Sequence, residues 1–375
     1  MIGTISISLA ALRHNARVLR DLVAPARAAF VVKGNAYGHG LVESALAVEP
    51  LASHLCVYAV EEALELRDGG VTAPLLVLGP VPPQQLPDAL AARAEPALWN
   101  AKGYVRALTE AARARHTPVR VHVKINTDLN RLGLESHELV DALEEYLRHP
   151  EIEIAGIYSH LASAEEIDSP YTMHQLEAFD RALARAKPLL ERRGIVPIRH
   201  IAASAAAMLW PQTRLDMVRC GIALYGLWPS PQTREAVESP LELQPVLSYA
   251  SELVATRSIP KGASVGYGGT FHAPHDMRIG VVPLGYADGI PRLLSNRGAF
   301  AVEGALCPIV GRVAMNMTLV DLSAAPNAHP GSKVTLIGQD GGVNVSADDW
   351  ARWSETINYE IVTRLPRVIP RQYLD

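Results

Sequence analysis

Short apolar runs alternate with helix-like segments throughout the first 230 residues, and this alternation constrains the fold more than any other feature. The runs are rich in Val and Ile without a period of two, which is typical of parallel strands buried on both faces. Eight such strand–helix units predict an α/β fold, a (β/α)8 TIM barrel. A doubly wound open sheet is the alternative, weakened because no GxGxxG follows a strand. The predicted strands cover residues 28–33, 55–60, 74–80, 95–99, 119–125, 152–160, 198–204 and 216–221.

The pattern changes near residue 230. A proline- and serine-rich segment at 228–240 predicts a linker, and short alternating runs with glycine turns follow it. These runs predict a mostly antiparallel β domain with one helix at SADDWARW. We therefore expect a barrel domain over residues 8–230 and a mostly β domain over 231–375, to which residues 1–7 also belong.

Composition disfavours several classes of protein. The formal net charge of −4 offers no broad basic face for nucleic acid. No apolar run reaches the roughly 18 residues of a membrane span, and the N-terminus lacks a secretory pattern. Cys56, Cys220 and Cys307 are far apart in apolar runs, so we expect reduced thiols in a cytoplasmic protein. No CxxC or HxxxH pair indicates a metal site.

The segment FVVKGNAYGHG at 30–40 ends an apolar run on a single lysine. Lys33 would hold an amine at the mouth of the fold, where partial desolvation makes it a nucleophile for carbonyl groups. A solvated lysine at a strand end is the alternative. The glycines at 34, 38 and 40 favour the first interpretation because glycine allows close backbone approach to a ligand.

Other polar residues also stand at the carboxyl ends of predicted strands, which is where TIM barrels carry function. They are Lys33, Lys124, Asn126, His160, Ser204 and Arg219. Pyridoxal 5′-phosphate suits this set, because it needs a lysine and a phosphate site, and such barrels commonly bind phosphate after strands seven and eight. Ser204 alone is equally consistent with a helix N-cap.

Arg219 indicates a reaction class if it faces the ring nitrogen of that cofactor. Arginine keeps its proton, so the ring nitrogen would stay unprotonated and the cofactor would be a weaker electron sink. A short-lived carbanion favours return of a proton to the same carbon. A salt bridge between Arg219 and Asp216 is the alternative.

Together these residues resemble alanine racemase, a fold-type III pyridoxal phosphate enzyme, and the resemblance covers nearly the whole chain. It implies interconversion of L- and D-alanine by a homodimer with shared active sites, which would supply D-alanine for peptidoglycan in a bacterium. The motifs follow in the family's order: VVKGNAYGHG (31–40), RLG (131–133), YSHLASAE (158–165), MVRCGIALYG (217–226), VGYGGTF (265–271), GYADGIPR (285–292), GRVAMNM (311–317) and TINYE (356–360).

The resemblance also implies residue roles. Lys33 would bind the cofactor covalently and act as one catalytic base, with Tyr267 of the partner subunit as the other. Tyr267 would need cationic neighbours to act as a base, and His160 and Arg219 would provide them. The residues implied to contact phosphate are Tyr37, Ser204, Gly221, Ile222 and Tyr359.

On the substrate side, Arg131 matches a residue near the substrate carboxylate, and Met315 matches a contact supplied by the partner chain. Tyr286 resembles a residue of the entry gate. Lys124 matches a lysine that is often carbamylated in the family, with an unmodified lysine as the alternative.

Some positions depart from the family pattern. Asn316 stands where aspartate is usual, Ala203 where asparagine is usual, and Asn126 and Asp128 where aspartate and glycine are usual. A racemase for serine or for a broader set of amino acids therefore stays open. Pyridoxal decarboxylases fit less well because they place an acid at the ring nitrogen, and the single-domain pyridoxal-binding proteins lack the domain that carries Tyr267.

Overall fold

The computed structural model describes residues 3–99, 103–237 and 241–375. They form two compact units. The first, called the barrel unit, contains the described residues of 11–36 and 41–244. The second, called the β unit, contains those of 3–10, 37–40 and 245–375.

The barrel unit is built on parallel strands. Strand β1 (Gly3–Ser8) belongs to the β unit, and the barrel strands follow it: β2 (Arg27–Val31), β3 (His54–Val57), β4 (Leu75–Val77), β5 (Ala94–Leu98), β6 (Val119–Lys124), β7 (Ile152–Tyr158), β8 (Ile198–His200) and β9 (Met217–Cys220). They pair in the order β8-β7-β6-β5-β4-β3-β2-β9. The ends of this row also meet, because the Arg219 N–H donates to the Ala202 carbonyl at 3.1 Å. The row is therefore nearly closed, and the predicted TIM barrel is confirmed.

Helices of the barrel unit bury one apolar face each. The helix Tyr104–Ala114, for example, buries Val105, Leu108 and Ala112, which the helical repeat brings to one side. The helices span Leu9–Val23, Leu41–Val48, Val60–Asp68, Leu86–Ala91, Tyr104–Ala114, Leu139–Tyr146, Tyr171–Arg192, Ser204–Leu209 and Pro231–Ala236.

The last of these helices falls within the predicted linker at 228–240. Ser230 Oγ accepts a hydrogen bond from the Thr233 N–H at 3.0 Å, and Pro231 begins the helix, where its missing N–H costs nothing. The predicted linker therefore contains a short helix at residues 231–236. Residues 238–240 of that prediction lie outside the described residues.

The β unit is mostly β, as expected. Its further strands are β10 (Leu247–Glu252), β11 (Ala255–Ile259), β12 (Ser264–Val265), β13 (Phe271–His272), β14 (Met277–Val282), β15 (Ala299–Val302), β16 (Ala305–Pro308), β17 (Thr318–Asp321), β18 (Lys333–Asp340), β19 (Val343–Val345) and β20 (Arg371–Leu374). The largest sheet of the β unit has the order β16-β15-β18-β10-β1-β20, and β19 pairs with β18. Two smaller sheets are β11-β14-β17 and β12-β13.

Two helices complete the β unit. Ala347–Trp353 follows the predicted SADDWARW segment and begins with a capping box, in which Ser346 Oγ accepts from the Asp349 N–H at 3.0 Å. The second helix, Asn358–Thr363, was not predicted. It has six residues and no side-chain cap at its start, so the sequence carries little local signal for it.

Two glycines of the lysine segment let parts of the β unit approach each other closely. A Cβ on Gly38 would lie 2.0 Å from the Val362 carbonyl oxygen, and one on Gly40 would lie 1.9 Å from Tyr373 Oη. Arg371 Nη2 also donates to the Gly38 carbonyl at 2.9 Å. These two glycines were expected to allow close approach of a ligand. In the structure they are approached by other residues of the same chain.

A Gly38→Ala substitution is expected to destabilise the β unit far more than Gly262→Ala. Both glycines have nearly the same φ, +84° and +83°, but an added Cβ at Gly262 meets no atom within 4 Å. The left-handed conformation alone should cost about 1–2 kcal/mol at either site, and the clash at Gly38 should add about 1–3 kcal/mol. Urea unfolding followed by tryptophan fluorescence measures the difference. Equal unfolding midpoints for the two variants would contradict this account of Gly38.

Candidate active site

Lys33 lies two residues beyond the end of β2, at the start of a left-handed turn. The φ angles of Gly34, Asn35, Ala36 and Tyr37 are 64°, 57°, 53° and 52°. Three of these residues carry a Cβ, so the conformation is unfavourable and must be held by its surroundings. The Glu62 carboxylate contributes by accepting from the Gly34 N–H at 2.6 Å. This turn fixes where the Lys33 side chain leaves the backbone.

The Lys33 amine has a pKa below the usual value for lysine. Burial is the largest cause, the positive charge of Arg131 is the second, and Glu62 opposes both. Nearby Cys56 is a neutral thiol, because burial raises its pKa to about 12. A partly desolvated amine beside a cation is the form of lysine that reacts with carbonyl groups.

Further cations surround this amine. Lys124, at the end of β6, is buried, and its pKa falls to about 8, first through burial and then through the charges of Arg131, Arg219 and Lys33. Its Nζ lies 5.5 Å from the centroid of the Tyr158 ring. Because these like charges disfavour one another, the arrangement indicates a site that is completed by an anion.

Arg219, on β9, is held by the barrel through both of its Nη atoms. Its Nη1 contacts His200 Nδ1 at 2.6 Å. Its Nη2 donates to the carbonyls of Ser159 at 2.8 Å and Ile201 at 3.0 Å. The alternative of an Arg219–Asp216 salt bridge is wrong, because Asp216 pairs with Arg199 at 2.8 Å. The guanidinium is therefore fixed in orientation.

His160 contacts the same guanidinium, with its Nδ1 at 3.3 Å from Arg219 Nη2. Burial and then the charge of Arg219 lower the pKa of His160 to about 3. The expectation that His160 is a cationic neighbour is therefore wrong. It is neutral, and since Arg219 donates to Nδ1, the His160 proton lies on Nε2.

The loops after β8 and β9 bring Ser204 and Gly221 together. Ser204 Oγ accepts from the Gly221 N–H at 2.9 Å, and Ile222 begins the next turn. Ser204 is not an N-cap, because the cap of its helix is Ala203, which has no capping side chain. The two tyrosines of the expected phosphate set lie in the β unit, where the rings of Tyr37 and Tyr359 are 6.2 Å apart.

Arg131 is exposed and follows a loop that is organised by Asn126. Asn126 Nδ2 donates to Asn130 Oδ1 at 2.8 Å, and the Asn130 N–H donates back to Asn126 Oδ1 at 2.9 Å. Asp128 within this loop has a φ of 70°. The departures at Asn126 and Asp128 thus sit in a hydrogen-bonded loop that sets the position of Arg131.

The other expected site residues lie in the β unit and are exposed. Tyr267 is 72% exposed and stands between glycines with positive φ, Gly266 and Gly268. Met315 and Tyr286 are also exposed. Asn316 Nδ2 lies 3.3 Å from the carboxylate of Asp288.

A buried group of polar residues inside the barrel was not predicted from the sequence. His54, Glu95 and His122 come from β3, β5 and β6 and bring their side chains within 4.8 Å of one another. His200 joins them through His122. The sequence does contain one indication of this group. His122 precedes Lys124 by two residues on β6, so both side chains lie on the same side of the strand.

Comparison with known proteins identifies the family. The model of the alanine racemase N-terminal domain matches residues 7–229, and that of the C-terminal domain matches residues 246–373. The alanine racemase of Syntrophobacter fumaroxidans is 38% identical over 97% of this chain and 95% of its own length. The chain belongs to the alanine racemase family. Membership makes it a racemase by class, an isomerase.

Solved structures of alanine racemases share the whole fold. The enzyme of Streptomyces coelicolor A3(2) superposes with a TM-score of 0.92 and 36% identity, covering 100% of this chain and 98% of its own. That of Bartonella henselae, described with covalently bound pyridoxal phosphate, superposes with a TM-score of 0.86 and 28% identity, covering 99% of each chain. Among the described residues, no helix has the length and apolar character that crossing a membrane requires.

Proposed function

We propose that this chain interconverts L- and D-alanine with pyridoxal 5′-phosphate as its cofactor. The observation that supports this most is Arg219. It is 3% exposed, and both of its Nη atoms are occupied by the barrel. A fixed, permanently charged donor at this place suits an unprotonated ring nitrogen and disfavours the acid that a decarboxylase would need.

The residues present fit that cofactor. The excess of positive charge around Lys33 complements a phosphate and a carboxylate. The Gly221 N–H already donates to Ser204 Oγ, so the hydroxyl proton of Ser204 is left to donate to a phosphate oxygen. The residues that would hold the phosphate are Tyr37, Ser204, Gly221, Ile222 and Tyr359. When bound, pyridoxal phosphate withdraws electrons from the substrate and so makes its α-proton removable.

Lys33 and Tyr267 would be the two bases. Racemisation removes a proton from one face of the α-carbon and returns one to the other, and one lysine cannot serve both faces. Burial and the charge of Arg131 keep more of the Lys33 amine neutral at a given pH. The second base would be Tyr267 of the partner subunit.

His160 would assist Tyr267 as a neutral donor. Because its Nδ1 faces Arg219, its Nε2–H is available for the phenolate oxygen of Tyr267. A hydrogen bond to the charged form of a group lowers its pKa. His160 would therefore act on Tyr267 through a hydrogen bond and not through the positive charge that was first expected. The Arg219 cation would polarise His160 from its other side.

Substrate contacts would come from both chains. Arg131 would hold the substrate carboxylate, Met315 would contact it from the partner, and Tyr286 would border the entry. Lys124 would be carbamylated, which a pKa of about 8 favours because the reaction needs the neutral amine. The carbamate is negative and would then pair with Arg131.

A homodimer with shared sites follows from the need for a second chain's Tyr267. The β unit also exposes large apolar side chains that a partner chain would cover. They include Tyr267 at 72%, Met315 at 56%, Met317 at 54% and Ile357 at 59% exposure. The product D-alanine would serve peptidoglycan synthesis in the cytoplasm of a bacterium.

Asn316→Asp is expected to change the preference between alanine and serine. Asn316 is a neutral amide at the proposed entry, where the family resemblance implies a carboxylate, and the substitution would place a second negative charge beside Asp288. The ratio of kcat/KM for alanine to that for serine measures this. Identical ratios before and after the substitution would count against a role of Asn316 in selection.

Two measurements test the proposed function. The purified protein should convert either enantiomer of alanine to the racemic mixture, followed by chiral chromatography. Its absorbance spectrum should show bound pyridoxal phosphate linked to an amine, and borohydride should fix the cofactor on Lys33, as read by peptide mass. Absence of interconversion in protein that carries the cofactor would overturn the assignment.

A further inference from the structure

A continuous hydrogen-bonded chain crosses the barrel interior behind Arg219. Arg219 Nη1 contacts His200 Nδ1 at 2.6 Å, His200 Nε2 contacts His122 Nδ1 at 2.8 Å, and His122 Nε2 contacts Glu95 Oε2 at 2.8 Å. All four residues are at most 6% exposed. At the far end, Arg120 Nε donates to Glu95 Oε1 at 2.8 Å.

Only one arrangement of protons satisfies this chain with neutral histidines. A guanidinium can only donate, so His200 must accept on Nδ1 and carry its proton on Nε2. Because His200 donates from Nε2, His122 must accept on Nδ1 and carry its own proton on Nε2. The Glu95 carboxylate accepts the hydrogen bond from His122 Nε2. Burial is the main reason why the pKa of each histidine is lowered, which agrees with two neutral rings.

We propose that Glu95, His122 and His200 are positioning residues that hold Arg219 in the orientation its catalytic role requires. The Glu95 carboxylate sets the tautomer of His122, His122 sets that of His200, and His200 sets the Arg219 guanidinium. The inference rests on the proposed function, because that function gives Arg219 its task at the cofactor. Each link is a hydrogen bond whose direction is fixed by the one before it.

The barrel makes room for this chain. A Cβ on Gly156 of β7 would lie 2.3 Å from His122 Nδ1, so a side chain at 156 would displace the ring. His54, Glu95 and His122 are also chemically suited to a metal ion. The 2.8 Å separation between His122 Nε2 and Glu95 Oε2 is, however, that of a hydrogen bond.

Glu95→Gln tests the chain, and Glu153→Gln is its matched control. Both carboxylates accept from Arg120, but Glu153 is half exposed and does not contact His122. A glutamine at 95 can donate its amide proton to His122 Nε2, which would move the His122 proton to Nδ1. His200 would then accept on Nε2 and carry its proton on Nδ1. That N–H would face the Arg219 guanidinium, which can only donate. We expect kcat to fall about 10- to 100-fold in Glu95→Gln, with a smaller change in KM, and to stay at the wild-type value in Glu153→Gln.

Imidazole 15N NMR of the holoenzyme reads the tautomers independently of activity. In the wild type and in Glu153→Gln, His122 and His200 should both carry the proton on Nε2, and Glu95→Gln should lose this pattern. The proposal is overturned if wild-type His200 is protonated on Nδ1. It is also overturned if Glu95→Gln matches Glu153→Gln in both kcat and 15N signals.

These outcomes separate the inference from the proposed function. The wild-type NMR result needs no variant, so it decides the direction of the chain even if Glu95→Gln does not fold. A wild type that racemises alanine while His200 carries its proton on Nδ1 contradicts only the chain. A wild type with the expected tautomers that does not racemise alanine contradicts the proposed function and leaves the direction of the hydrogen-bonded chain intact.

Discussion

Replacing Lys33 by alanine is expected to lower kcat for alanine racemisation by about a thousandfold or more, since a base and the covalent attachment of the cofactor are lost together. The loss should be chemical and not structural, because Lys33 is only partly buried and the turn is held by Glu62 through the Gly34 backbone. Chiral chromatography measures the rate, and the absorbance spectrum reports the lost attachment. Circular dichroism should match the wild type.

Lys187→Ala is the control for this variant. Lys187 is a largely exposed lysine on the helix Tyr171–Arg192, where it pairs with Glu191 at 3.7 Å, and its removal should leave kcat unchanged. A Lys33→Ala protein that keeps kcat within about tenfold of the wild type would contradict the assignment of Lys33 as a base.

Tyr267→Phe, which removes one oxygen atom, is expected to lower kcat by about 10²- to 10⁴-fold, the usual contribution of a positioned base. Tyr267 is 72% exposed within its own chain, so folding should not change. In deuterated water the variant should still exchange the α-proton of one alanine enantiomer, through Lys33, and should lose exchange of the other.

Tyr373→Phe is the matched control, because Tyr373 on β20 is also a tyrosine of the β unit, has no part in the proposed site and keeps its ring in the variant. Its kcat should stay near the wild-type value. Proton exchange from both enantiomers in Tyr267→Phe at wild-type rates would show that the phenol is not a base.

The barrel was predictable because its strands are short, apolar and separated by helical patterns, and burial on both faces removes the alternation of an exposed sheet. Lys33, Lys124 and Arg219 were predictable as candidate site residues, because a charged side chain at the end of an apolar strand is rarely buried unless it has a partner. Strand ends converge in a barrel, so residues distant in sequence could be grouped without knowing any distance.

The hydrogen-bonded chain behind Arg219 could not be predicted in the same way. Glu95, His122 and His200 lie on three strands, and only the register of those strands brings their side chains into contact. The neutral state of His160 likewise depends on its burial and on the nearby charge of Arg219, and both follow from the three-dimensional structure. A close approach at Gly38 and Gly40 was predicted from the sequence. The residues that approach them, Val362 and Tyr373, lie more than 300 positions away in the chain and could not be identified.

Mixing the two inactive variants tests the shared active site most directly. Lys33→Ala and Tyr267→Phe homodimers are dissociated together and allowed to reassociate. If Lys33 of one chain works with Tyr267 of its partner, each mixed dimer contains one intact site and one doubly altered site, and activity should recover to about a quarter of wild type at random pairing. No recovery, with mixed dimers verified by mass, would contradict a site built from two chains.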